Sequence, residues 1–243
     1  MDGNAPDQTP TAWGPLRRWL AAAAGLLLGV AGLLLLFPSC YSTPSTDNRV
    51  DLAPATASTQ PADTSPFGIA KADHLRGVGG DADAHARADE ALEELLSADP
   101  DNPLLQAYRG SSKLIAARNA TFGPIKGLHA RAGGKLLDAA VAAEPDNLEI
   151  RFLRGISTVN LPRIAGRYQP ALDDLRMVLD GSPDAIPAGT LDPAFAAAAA
   201  LRLAQAEAEE DRSDAARNLY QQAIDLAPQS GAADQARAAL APH

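Results

Sequence analysis

Four segments of the chain share one pattern of small and apolar positions, and each pattern ends at a proline. A small or apolar residue stands 12, 8 and 5 positions before that proline in every segment. Residues three and four apart lie on one face of a helix, so each segment predicts a helix with a single apolar stripe that the proline ends. The four sets are Ala88, Leu92 and Leu95 before Pro100; Gly133, Leu137 and Ala140 before Pro145; Ala171, Leu175 and Val178 before Pro183; and Ala216, Tyr220 and Ala223 before Pro228.

A longer repeat extends from the first two of these prolines into the segments that follow. The tripeptide Pro-Asp-Asn at 100–102 recurs 45 residues later at 145–147, and the register then holds without a gap. The pair Arg-Gly at 109–110 therefore matches Arg-Gly at 154–155. A supersecondary unit that is used at least twice indicates a repeat architecture.

The pattern predicts an all-α domain, and the many alanines and few β-branched residues agree with it. Residues 75–80 are expected to form a loop, and the last helix is expected to be the polar-faced cap that a repeat array needs. The predicted helices lie at about 82–98, 103–119, 130–143, 147–160, 168–180, 192–210, 213–226 and 231–240.

The pattern small–x3–large–x2–small–x4–Pro resembles the second helix of a tetratricopeptide repeat (TPR). The segments after Pro100 and Pro145 resemble first helices, with Gly110 and Gly155 where the paired helices cross. The resemblance covers about 83–229 and implies a right-handed α-solenoid of TPR-like helix pairs.

The chain departs from the TPR pattern at two kinds of position. The aromatic residue expected early in the first helix is replaced by Gln106, Arg151 and Ala200. Extra residues are inserted around 119–129, within 160–167 and within 184–193.

The first part of the chain has a different character. Residues 19–37 carry no charge, and a helix of that length spans roughly 28 Å, close to the hydrocarbon thickness of a bilayer. Arg17 and Arg18 precede this run, so the positive-inside bias predicts a cytoplasmic tail at 1–18 and an exported, periplasmic remainder. A disordered linker rich in Pro, Ser, Thr and Ala is predicted at 38–70, and the repeat domain at 80–243.

Three interpretations of the apolar run remain open. It is an uncleaved transmembrane anchor, a cleaved secretory signal, or a lipoprotein signal in which Cys40 is acylated after processing. Ser39 suits the small residue that lipoprotein processing requires, whereas Phe37 and Pro38 depart from the usual pattern.

Composition excludes several classes of function. The formal net charge is −9, and no basic stripe with interleaved aromatics is present, so nucleic acid is not an expected partner. Cys40 is the only cysteine, and the four histidines lack metal-ligand spacing. No nucleophile elbow or phosphate-binding loop is found. We therefore expect no metal, no cofactor and no catalytic residue.

Mapping the TPR positions onto this chain predicts a partner-binding groove along the first helices. Its apolar anchors would be Phe152 and Ile156, unless inserted loops or the cap cover it. Arg109 and Arg154 would cap helix ends, bridge to the nearby acids Asp101, Asp146 or Asp173, or hold an acidic group of a ligand or partner between repeats. The full predicted groove is Ser111, Phe152, Ile156, Arg109, Arg154 and Gln205.

These features predict a non-catalytic, membrane-anchored TPR scaffold that binds a protein or peptide on the exported side of the membrane. The alternative is a solute-binding accessory subunit of a membrane transport system, in which the inserted loops and arginines hold a small acidic ligand.

Overall fold

A computed structural model describes residues 63–241, and this part of the chain is all-α, as predicted. It contains nine α-helices, a short 3-10 turn at Arg163–Ala165 and no strand within those residues. The helices are α1 Pro66–Gly79, α2 Ala82–Ala98, α3 Pro103–Asn119, α4 Gly123–Ala143, α5 Leu148–Thr158, α6 Tyr168–Ala185, α7 Pro193–Glu209, α8 Ser213–Leu226 and α9 Gly231–Leu240.

The predictions for the first part of the chain lie outside the described residues. They are the cytoplasmic tail at 1–18, the apolar segment at 19–37, most of the linker and the lipidation candidate Cys40. Between residues 63 and 241, no helix is long and apolar enough to cross a membrane.

The two Pro-Asp-Asn motifs end one helix and start the next in the same way. Asn102 accepts backbone hydrogen bonds from Leu104 and Leu105 at 3.1 and 3.2 Å. Asn147 accepts the equivalent pair from Glu149 and Ile150 at the same distances. An asparagine at this position satisfies amide groups that the first helical turn leaves unpaired. The repeat seen in the sequence is therefore also a structural repeat.

Two of the departures from the TPR pattern make the same contact in both units. The Gln106 side chain donates to the carbonyl of Pro100, and the Arg151 side chain donates to the carbonyl of Pro145, each at 2.7 Å. Polar side chains at this position tie the start of the helix to the preceding turn by a hydrogen bond.

The helices pack in an alternating order. Each helix from α1 to α8 packs against the next one in the chain. The odd-numbered helices also contact each other in sequence, from α1 to α3, α3 to α5, α5 to α7 and α7 to α9. The odd helices thus form a continuous row. The predicted apolar stripes of the even helices are buried, apart from Leu95 and Tyr220, which are half-buried.

Small residues stand where the helices of a pair cross. A Cβ atom added to Gly110 would lie 2.9 Å from the Gly133 carbonyl oxygen, and one added to Gly133 would lie 2.6 Å from the Gly110 oxygen. Gly155 is in a similar position, 2.9 Å from the Leu175 side chain and 3.0 Å from the carbonyl of Ala171. The crossings predicted at Gly110 and Gly155 are therefore confirmed.

The loop predicted at 75–80 is wrong, because α1 occupies Pro66–Gly79. Ser65 caps its first turn, proline fits the first helical position, and Gly80 ends the helix with a left-handed backbone at φ 113°. The same helix also overlaps the end of the predicted linker at 38–70. These capping signals are present in the sequence, but α1 lacks the repeat pattern and precedes the first repeat motif.

Two other helix boundaries differ from the prediction by more than two residues. The helix expected at 130–143 begins at Gly123, because most of the inserted segment is an extension of α4. The helix expected to end at 180 runs through Pro183 to Ala185. Pro183 cannot donate to the carbonyl of Leu179, but the Ser182 hydroxyl donates to it at 2.7 Å. This substitute bond lets the helix continue for another half turn.

Candidate binding sites

The row of odd helices is the face where the sequence predicted a partner groove, and side chains of α1, its first member, extend over the next three helices, α3, α5 and α7. Phe67 packs edge-on against Tyr108 of α3, with ring centroids 5.3 Å apart. Lys71 reaches Glu149 of α5 and lies 5.6 Å from the ring centroid of Phe195 in α7. One helix of the same chain therefore contacts three successive members of the row.

A polar cluster fixes the middle of α1 on this face. Glu149 accepts a hydrogen bond from Lys71 Nζ at 2.6 Å and another from Tyr108 Oη at 2.5 Å. Burial, with the nearby Glu149 carboxylate, raises the pKa of Tyr108 well above its ordinary value. The tyrosine therefore remains a neutral donor to the carboxylate, while the lysine supplies the compensating charge.

His74 lies one turn further along α1 and is fully enclosed. Its Nε2 is 3.1 Å from the hydroxyl of Ser111, which in turn accepts from Ser157 at 2.9 Å. Burial, with a smaller effect of His85, lowers the pKa of His74 to about 3. The imidazole is therefore neutral at physiological pH. Because both His74 and Ser111 are buried, this pair has no access to a substrate.

The predicted exposure of Phe152 is wrong. Its side chain is 0% exposed and stacks on Phe195, with ring centroids 4.4 Å apart and an interplanar angle of 9°. Helix α7 supplies the stacking partner, and α1 adds Leu75 and Val78 to the same apolar cluster. Phe152 is thus part of the core in this structure.

The rest of the predicted groove is also covered to different extents. Ser111 is 3% exposed and bonds to α1, whereas Ile156 is half-buried against the core. Gln205 is half-buried and accepts a hydrogen bond from Arg202 at 2.7 Å. The sequence left open whether part of the array covers this face, and α1 is the element that does.

Arg109 is buried and pairs with two acids of α2. It bonds to Asp89, and its other terminal nitrogen bonds to Glu93 at 2.6 Å. Ser112 donates to the same Asp89 carboxylate at 2.6 Å. The candidate partner acids chosen from the sequence were the wrong ones. Because both ends of the guanidinium are paired and 4% of the residue is exposed, Arg109 does not face a ligand here.

Arg154 belongs to a different network, centred on Asp174 of α6. The two residues form a bidentate pair at 2.6 and 2.8 Å, and Arg151 adds a third bond to Asp174 at 2.8 Å. Asp174 is 0% exposed. The hydrogen bond to this carboxylate raises the pKa of Arg154. A fully buried carboxylate that accepts from two guanidinium groups satisfies the pairing that a buried charge requires.

A cleft of about 300 Å³ opens beside this network, between α4, α5 and the inserted turn. Arg167 lies on its wall and makes a bidentate pair with Asp138 at 2.9 and 2.7 Å. Arg154 also lines the cleft, 3.7 Å from Asp138. The guanidinium groups of Arg151, Arg154 and Arg167 thus face two carboxylates, those of Asp138 and Asp174. This leaves one net positive charge beside the cleft.

Sequence reasoning missed the residues that hold α1 in place. Lys71 and His74 lie outside the repeat, where no equivalent position exists for comparison. Tyr108 and Glu149 are inside it, but Tyr108 lies beside the face that TPR mapping assigns to the groove. The one usable signal was the Ser65–Pro66 start of a further helix.

Residues 63–241 hold no group of three or more His, Cys, Asp or Glu side chains that could bind a metal ion. Comparison with known proteins finds no match to a family model, a curated protein or a solved structure.

Proposed function

We propose that this chain is a non-catalytic, membrane-anchored scaffold that binds protein or peptide partners on the exported side of the membrane. We interpret the described part as a right-handed α-solenoid of TPR-like helix pairs. The alternating helix contacts and the equivalent Asn102 and Asn147 caps support this interpretation. An array of this kind offers an extended surface and no enclosed reaction centre.

The observation that carries the proposal is the position of α1. A helix that crosses successive first helices lies where the helical ligand of such an array would bind. Its contacts also specify the chemistry of that ligand. Phe67 and Lys71 are four residues apart on one face, and they meet Tyr108 and Glu149 respectively. We therefore expect a partner helix with an aromatic residue followed four positions later by a cation, which binds when α1 leaves.

The experiment loosens α1 without touching the rest of the array. Lys71→Glu in the full chain places two carboxylates together at Glu149 and removes the cation near Phe195. We expect faster amide hydrogen exchange in α1 but not in α5 or α7, because the local contacts of α1 are weakened. A labelled peptide with the sequence of residues 64–80 should bind this variant and not the wild-type chain.

Lys71→Glu combined with Glu149→Lys is the matched control. The double variant restores the opposite charges, so α1 should be protected again and the peptide should not bind. If Lys71→Glu binds no peptide although α1 exchanges rapidly, the face is not a helix-binding site. Equal peptide binding by the wild-type chain and both variants would show that the peptide binds elsewhere.

The cleft beside Arg154 and Arg167 supports a second candidate, binding of a small acidic solute. The net positive charge of the guanidinium cluster favours this function. It ranks second, because both arginines already pair with carboxylates and a ligand would have to replace Asp138. Calorimetric titration with succinate tests it. Binding that is lost in Arg167→Gln would support a solute site, and no heat of binding would count against it.

A further inference from the structure

One edge of the array carries most of the exposed large apolar side chains. Arg118 at the end of α3 donates to the carbonyls of Gly77 and Val78 at the end of α1. Arg163, just after α5, pairs with Glu209 at the end of α7 at 3.2 Å. These contacts place the ends of the odd helices along one edge. The turns from α3 to α4 and from α5 to α6 lie there, and both contain insertions.

The first insertion projects from the body of the domain. Phe122, Ile125 and Leu128 are 62%, 47% and 65% exposed. A Cβ atom added to Gly123 or Gly127 would meet no atom within 4 Å, so no other element of residues 63–241 packs at these two positions of α4. Three large apolar side chains are therefore exposed together on this projection, which is costly unless another surface covers them.

The charge of this segment is opposite to that of the whole chain. The formal net charge is −9, yet residues 102–137 contain six lysines and arginines and no aspartate or glutamate. Lys126 and Arg131 are exposed on the projection, and no ion pair within residues 63–241 uses either of them. We call Phe122, Ile125, Lys126, Leu128 and Arg131 the basic tip.

We propose that the basic tip docks on the anionic lipid surface of a membrane. Apolar side chains flanked by lysine and arginine are the composition of segments that lie in the headgroup region, where the apolar groups insert and the cations pair with lipid phosphates. An exposed apolar and basic projection suits a deformable anionic bilayer, whereas a protein partner would need a matching groove. The acidic loops beside it, at Asp81 and Glu210, restrict the contact to the middle of the edge.

The proposal adds a second membrane contact to the scaffold and does not depend on the α1 site.

The test uses the full chain in vesicles, with a polarity-sensitive fluorophore on a single cysteine. Ile125→Cys in a Cys40→Ser background carries the label, and Asn218→Cys, exposed on α8, is the matched control site. We expect a blue shift of the Ile125→Cys label in vesicles of phosphatidylglycerol and phosphatidylcholine, but not in phosphatidylcholine alone. The Asn218→Cys label should not shift in either.

Reversing the charges of the basic tip distinguishes its docking on lipid from simple proximity of the domain to the bilayer. Lys126→Glu with Arg131→Glu should abolish the shift, while the chain remains in the vesicles. An unshifted Ile125→Cys label in anionic vesicles, or an equal shift at Asn218→Cys, would overturn the proposal. A shift that appears only in native membranes with their proteins would assign the tip to an acidic protein and overturn the lipid assignment.

Discussion

Arg109 and Arg154 occupy equivalent positions in the two repeat units, yet they pair in opposite directions along the chain. Arg109 bonds to acids of the preceding helix, α2. Arg154 forms its bidentate pair with Asp174 of the following helix, α6. The backbone of the two units is equivalent down to the capping hydrogen bonds, so the difference lies in the side chains that each neighbour supplies.

Two replacements account for this difference. When the crossing residues Ala88, Gly133 and Ala171 are matched, Leu136 stands where the second unit has Asp174, and Gly134 stands where the first unit has Asp89. Arg109 therefore has no acid on the following helix and pairs with Asp89 and Glu93. Arg154 pairs with Asp174, while Asp138 forms its bidentate pair with Arg167. A repeated backbone thus carries different ion-pair networks, and the cleft described above lies beside the second one.

The largest expected effect breaks the second network at its centre. Asp174→Asn leaves Arg151 and Arg154 without their buried carboxylate, and losing one partner of a buried pair costs about 3–5 kcal/mol of unfolding free energy. Asp89→Asn should cost clearly less, because Asp89 is partly exposed and Arg109 keeps Glu93. Urea denaturation of both variants measures the difference. Equal losses would show that the two networks contribute alike.

A second comparison concerns the two helix crossings. Gly110→Ala forces its new methyl group against the backbone of Gly133, and such overpacking costs about 1–3 kcal/mol. Gly155→Ala should cost a similar amount, because its methyl group would lie 2.9 Å from the Leu175 side chain and 3.0 Å from the Ala171 carbonyl oxygen. Thermal unfolding of the two variants measures both losses. A variant that loses no stability would contradict the close crossing at its position.

The third prediction uses pH and concerns a contact that the second unit lacks. His74 bonds to Ser111, whereas the second unit has Ile156 at the position equivalent to Ser111. The folded pKa of about 3 lies below the ordinary histidine value of 6.5, so the unfolded chain binds a proton first as the pH falls. The stability that neutral His74 contributes to the folded state is present above pH 6.5 and is lost as the pH falls from 6.5 to 3. At pH 5.5 the loss is about 1.4 kcal/mol.

The measurement is the change in unfolding free energy between pH 7.5 and pH 5.5 for the wild-type chain and His74→Gln. Glutamine cannot take up this proton, so the variant should lose less stability over the same interval. Burial also lowers the pKa of His85, but this histidine is present in both proteins and its effect cancels. Identical pH profiles would mean that His74 is accessible to protons in the folded state.

The smallest effect is expected in the insertion that only the first unit carries. Gly127 lies inside α4 with open space around its Cβ position. Gly127→Ala should raise the unfolding free energy by about 0.5–1 kcal/mol, since alanine restricts the unfolded chain and favours helix. It is also the control for Gly110→Ala. A loss of unfolding free energy in Gly127→Ala would indicate that this position contacts another part of the protein.

Local patterns were sufficient to predict much of the fold. The helical patterns in the sequence placed α2, α3, α7, α8 and α9 at or within one residue of their observed bounds, and the crossing glycines were identified correctly. The prediction failed where a neighbouring side chain compensates for the amide group that proline lacks. Pro183 ends no helix because Ser182 supplies the missing bond, and this substitution is visible only once the geometry is known.

The site was harder to predict than the fold. Mapping repeat positions assigned Phe152 to an open groove, but which face is open depends on every element that packs against it. Helix α1 contacts residues that are distant in sequence, and nothing in its own composition indicates where it docks. The pairing of Arg154 depends on Asp174, whose burial follows from the packing of α6 rather than from its sequence.

The docking of α1 also has a consequence for the order in which the protein is made. Lys71 and its partner Glu149 are 78 positions apart. At a synthesis rate of 5–20 residues per second, the carboxylate follows the lysine by roughly 4–16 s. During this interval α1 can pair with α2, whereas the surface that it finally covers does not yet exist. The first of the described helices to be synthesised is thus among the last to reach its final contacts, and a nascent partner would find its site before α1 closes it.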